Sequence, residues 1–212
     1  MHFLLKGNRM NHLTFKQYRN IDLSIIAVLL IISEYITTVA TKSWFSAQAV
    51  AISTSFLFIL IGMMRWSLFA VIYPLIGGAV FCFALNQDLK HFLIYMLGNC
   101  FALLALLWFK AFKKDDVRKS PAKLSLFIIT AYVCMQLGRW LVSLFFSFEI
   151  WNLLGFLTAD IISLLFATVV MFILRTTDGM IEDQKAYLFR LERERKEELE
   201  RQLSPTGYGP ED

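Results

Sequence analysis

Apolar runs of about 20 residues follow one another along almost the whole chain, separated only by short polar or basic stretches. A helix of that length and composition suits the hydrocarbon core of a bilayer, where every backbone polar group must be bonded within its own segment. Spans are expected at about 22–42, 47–64, 67–86, 90–109, 124–146 and 150–174. In 212 residues, six spans leave room only for short connections and one extra segment, which excludes a large soluble domain. The expected fold is an all-α integral membrane protein: a short segment 1–21, a six-span bundle 22–174, and a charged helix with an irregular tail over 175–212. With 57% hydrophobic and only 18% charged residues, the composition points to the same solvent.

Residues 1–20, MHFLLKGNRMNHLTFKQYRN, have basic residues but no long apolar region or small-residue cleavage site, so the first span is expected to act as its own insertion signal. Cys82, Cys100 and Cys134 are singles in different apolar runs, and His2, His12 and His91 show no ligand spacing. No metal or cofactor is expected. Lysine and arginine decide the orientation. One set of flanks carries Lys6, Arg9, Lys16, Arg19, Arg65, a cluster from Lys110 to Lys123 and Arg175, while the other carries only Lys42 and Lys90. Both termini are therefore expected in the cytoplasm of a multi-pass cell-membrane protein. Trp44, Trp66, Trp108 and Trp151 fall near span ends, where amphipathic rings prefer the headgroup level; Trp140 lies inside span five.

After span six, residues 180–203 favour helix, with Glu192–Lys196 and Glu197–Arg201 as acid-before-base pairs one turn apart. A solvated, salt-bridged helix is expected there, with docking on a soluble partner as the alternative. Pro205, Gly207, Gly209 and Pro210 end regular structure.

Ionisable side chains within the spans stand out, because a charge at the centre of a membrane helix costs about 2.5–3.5 kcal/mol on insertion scales. At a rise of about 1.5 Å per residue, Glu34 lies roughly 18 Å above the cytoplasmic end of span one and Arg139 roughly 22 Å above that of span five. Asp160 and Asn99 enter spans six and four by about 15 Å from the external side. Helical spacing adds Thr37, Thr38 and Thr41 to the face of Glu34, aligns His91 and Tyr95 with Asn99, and places Tyr132 and Gln136 with Arg139. Two readings follow. Arg139 neutralises an acid and ties helices together, or Glu34, Thr38, Tyr95, Asn99, Gln136, Arg139, Trp140 and Asp160 line an externally open pocket for a small polar molecule. Two acids against one base would leave a surplus negative charge in such a pocket.

Catalytic signatures are missing: the chain has no GxSxG, HExxH or P-loop sequence. A membrane enzyme using Glu34 and Asp160 as acid and base is a further alternative. The basic balance follows from topology and contact with anionic lipid rather than nucleic acid. Pro74 is expected to kink span three.

With its compact size, the tight basic turn GMMRWS between spans two and three, and the small and helix-breaking residues of VIYPLIGG, the chain resembles an S component of an energy-coupling factor vitamin transporter over residues 15–175. The resemblance implies a non-catalytic subunit that captures a scarce small molecule, such as a vitamin or its precursor, from outside. A transmembrane coupling subunit and two ATPases would then drive uptake. The alanine pair four apart that the family commonly carries on its first helix is not found, since Ala27 is followed at that spacing by Ile31. The alternative from another class is a membrane scaffold that recruits a soluble partner through residues 180–203.

Overall fold

A computed structural model describes residues 15–44, 52–146, 152–177 and 179–203. Among them the chain is helical, without strands. Expectations for residues 1–14, for the start of span two at 47–51, for Trp151 and for the tail after 203 lie outside the described residues.

Helix α1 (Phe15–Trp44) shows why one span can be both greasy and selective. Leu23, Ala27, Leu30, Glu34, Thr38 and Thr41, three or four apart, are buried on one face. Ile25, Val28, Ile32, Tyr35, Ile36 and Val39 stand exposed on the other, as a lipid-facing surface requires. Glu34 thus belongs to the inward stripe.

Helix α2 (Ser55–Trp66) ends where Ser67 takes a φ of 52°, and the 3₁₀ segment Ser67–Val71 leads into α3 (Ile72–Leu85). The two helices run antiparallel: a Cβ added to Gly62 would come 2.3 Å from the Tyr73 ring, and one on Gly77 would come 2.4 Å from Ser55 Oγ. Pro74 occupies the first turn of α3, directly after the change from 3₁₀ to α geometry at Val71–Ile72.

Helix α4 (Leu89–Cys100) continues through a 3₁₀ stretch, Phe101–Leu107, into α5 (Trp108–Ala111). The short α6 (Lys114–Lys119) precedes α7 (Pro121–Leu144), which starts with a Ser120 cap and Pro121 in its first turn. Helices α8 (Asn152–Ala159) and α9 (Ile161–Leu174) meet at Asp160 with a bend of 45°. Four helical stretches are long and apolar enough to cross a membrane, or five if the bent pair is one span. Ser55–Leu85 counts among them as a single stretch although it folds back at Ser67.

Helix α10 (Gln184–Leu203) is charged and largely exposed, but the turn before it is docked on the bundle. Ile181 is fully buried, and Glu182 and Gln184 nearly so. Glu182 pairs with Arg118 at 2.6 Å and Arg190 at 3.0 Å, while Lys114 pairs with Asp183 at 2.6 Å. Arg65 grips Asp22 with two nitrogens, at 2.6 and 3.0 Å, and donates to the carbonyls of Gly179 and Met180. Trp66, at the end of α2, donates from its indole to the same Asp22 and is buried, so it belongs to this network. The expected solvated tail therefore begins only after a segment stapled to α1, α2 and α6.

Candidate functional site

Glycine brings α4 and α7 together. A Cβ on Gly98 would lie 2.6 Å from Arg139 Cα, and one on Gly138 would lie 2.5 Å from the Gly98 carbonyl oxygen, so the two backbones touch. Each glycine is followed by a polar residue, and the crossing sets these next to each other: Arg139 Nε donates to Asn99 Oδ1 at 2.7 Å.

Around this contact the remaining partners close in. Arg139 Nη1 donates to Gln136 Oε1 at 3.2 Å and to Asp160 Oδ2, and Gln136 Nε2 donates to that same oxygen at 3.4 Å. Asp160 is the residue at the α8–α9 bend and makes no side-chain cap on its own helix; its carboxylate faces Arg139 instead. The guanidinium lies over the Tyr95 ring at 4.5 Å, and Phe81 and Phe156 pack around that ring. Arg139 is 3% exposed and Asp160 2%, so each charge has its counter-charge and several dipoles at hand where water is scarce. Arg139 Nη2 donates only to Met135 Sδ, at 4.0 Å, among the described residues; thioether sulfur is a weak acceptor, which leaves that nitrogen's donors underused. Trp140 follows Arg139 on α7, and its buried indole nitrogen has no hydrogen-bond partner among the described residues.

Glu34 lies in a second cluster, apart from Arg139. Its Oε2 accepts the Ser55 backbone N–H at 2.8 Å and the Thr54 hydroxyl at 2.9 Å. Thr38 reaches Oε1 only at 3.5 Å. Thr54 is the N-cap of α2 but makes no cap bond of its own; Glu34 supplies it from the neighbouring helix, at the end where a helix dipole favours an anion. Ser33 Oγ lies 3.1 Å from Thr54 Oγ1, and the Ser53 backbone N–H donates to Ser163 Oγ at 2.8 Å. Ser163 stands one turn after Asp160 on α9, which is how the two clusters are joined.

Of the residues singled out in the sequence, Tyr95, Asn99, Gln136, Arg139 and Asp160 meet in one cluster, while Glu34 and Thr38 belong to the other. Thr41 continues the buried face of Glu34, but neither it nor Thr37 offers its hydroxyl proton to that cluster. They return their hydroxyls to α1 carbonyls, at 2.8 and 2.7 Å. His91 leaves the Asn99 stripe to pair with Asp88, the N-cap of α4. Sequence reasoning missed Ser53, Thr54 and Ser55, although Ser-Thr-Ser before an apolar run is a helix-start signal. It also missed the glycines that precede Asn99 and Arg139.

Comparison with protein-family models, with curated proteins and with solved structures gives no match.

Proposed function

We propose that the chain is a non-catalytic, solute-binding membrane subunit, similar in role to the S component of an energy-coupling factor transporter, and that its solute docks at the Arg139 cluster. The observation that carries this reading is Arg139 itself, held by Asn99, Gln136, Asp160 and the Tyr95 ring while Nη2 keeps hydrogen-bond donors without an oxygen partner among the described residues. The cluster contains one base and one acid, so its charge is balanced. With Glu34 elsewhere, the surplus negative charge expected from the sequence is gone, and a neutral polar solute with an acceptor group fits better than a cation.

Counting α2 and α3 as separate crossings and α8–α9 as one gives a six-span bundle. The lysines and arginines gathered around Arg65, Arg118 and Arg175 support a cytoplasmic side for that end of the bundle. On this topology the solute enters from the outside, and delivery falls to a coupling subunit and ATPases. Purification from native membranes followed by organic extraction tests the reading. A small polar molecule recovered in near-stoichiometric amount, together with a membrane subunit and ATPases, is the expected result; a bundle that leaves the membrane with neither would overturn it.

A second reading has its own observation. The docked turn 179–184 anchors α10 while leaving most of that helix exposed, as a scaffold presenting a helix to a soluble partner would. Recovery of a soluble partner alone, lost on deletion of residues 185–212, favours it.

A further inference from the structure

Three other carboxylates of the bundle are matched by arginine: Asp22 by Arg65, Asp160 by Arg139 and Glu182 by Arg118. Glu34, 0% exposed, has no lysine, arginine or histidine within ion-pair distance among the described residues. Its bonds come from one backbone N–H and from hydroxyls. The α2 N-terminus contributes about half a positive charge at best, which leaves a buried anion under-compensated.

The neighbours of Glu34 are rich in oxygen. Thr38 and Thr54 touch its carboxylate, Ser33 touches Thr54, and Ser53 and Ser163 complete a group drawn from α1, the start of α2 and α9. Such oxygens suit a hard cation. No group of three or more acidic, histidine or cysteine side chains gathers among the described residues, so a divalent ion would lack the carboxylates it needs. A single carboxylate with several hydroxyl oxygens, beside the bend between α8 and α9, carries the one negative charge that a monovalent ion neutralises.

We propose that Glu34, with Thr38, Thr54, Ser33, Ser53 and Ser163, forms a sodium site between α1, the N-terminus of α2 and α9. The site neutralises Glu34 and holds α2 to α9. It goes beyond the solute reading, since it concerns the other cluster and does not depend on what Arg139 binds.

The test is thermal unfolding of the purified full chain, prepared in choline chloride and titrated with sodium or potassium chloride at constant ionic strength. Sodium is expected to raise Tm saturably, by roughly 5 °C at high occupancy for a chain of this size. Potassium should need at least tenfold more for the same effect, and the Glu34→Gln protein should give a flat response. If Glu34→Gln does not fold, Ser163→Ala and Thr54→Ala replace it, each expected to raise the half-saturating sodium concentration at least tenfold. Equal Tm in sodium and choline overturns the site, as does an undiminished sodium response in these variants. Infrared detection of a protonated Glu34 carboxyl at saturating sodium also overturns it, since a proton would then be the neutralising cation.

Discussion

Gly98 and Gly138 cross so closely that a Cβ on either would strike the other helix: its carbonyl oxygen at 2.5 Å in one direction, the Arg139 Cα at 2.6 Å in the other. That contact lets Asn99 and Arg139 share a hydrogen bond of 2.7 Å. The obstacle in each case is backbone or the root of a side chain, which cannot rotate away. Gly98→Ala and Gly138→Ala are each expected to destabilise the bundle by about 1–3 kcal/mol or more, as overpacking does. Thermal unfolding in detergent measures this, and an unchanged Tm in both would mean that the helices can part freely.

Breaking the Arg139–Asp160 pair from one side should cost more than removing it altogether. Arg139→Met or Asp160→Leu alone leaves a buried charge without its partner, at about 3–5 kcal/mol, whereas the double variant should recover most of that loss. A double-mutant cycle by denaturant or thermal unfolding gives the coupling directly. Strictly additive losses would contradict a shared pair.

The docked turn before α10 predicts a sharp boundary for truncation. Removal of residues 186–212 should leave the bundle near its full stability, while removal of 179–212 also takes away Ile181 and the partners of Arg65, Arg118 and Lys114. Ile181→Ala in the full chain is expected to cost about 2–5 kcal/mol, the range for a buried aliphatic side chain. Equal stability of the two truncations would show that the turn is only resting on the surface.

Asp88 gives a pH prediction. The hydrogen bonds from the His91 ring and then from the His91 backbone N–H hold its carboxyl below the usual aspartate range. Because the folded value is depressed, the stabilisation is present at neutral pH and is lost as pH falls through the folded value. Hydrogen-exchange protection of the first turn of α4, taken relative to the intrinsic rate at each pH, should therefore fall in acid in the wild type. In Asp88→Ala that protection should be low and independent of pH.

Much of this fold is legible in the sequence because membrane helices announce themselves by length. The inward stripe of α1 could be read from the spacing of Leu23, Ala27, Leu30 and Glu34, and the company of Asn99, Gln136, Arg139 and Asp160 from depth and helical face. The fate of Glu34 could not. Depth places it level with Arg139, but its partner is a backbone N–H, and sequence reasoning that pairs only side chains overlooks such donors. Arg65 was hidden for another reason: the topology rule explains any basic residue at a turn, so its bidentate grip on Asp22 and its two carbonyl contacts looked like mere orientation. Ile181 was hidden by its neighbours, one apolar residue among charges, with no periodicity to mark it as buried.

On the proposed function, Arg139 and its partners hold a neutral polar solute. Native mass spectrometry of the protein released gently from its own membranes tests it most directly, with wild type compared with an Arg139→Gln variant shown to be folded by its thermal transition. A small-molecule adduct is expected on the wild type and should be lost, by tenfold or more in occupancy, in Arg139→Gln. An adduct of the same mass retained at the same occupancy in the folded variant would contradict it and leave Arg139 as a tie between helices.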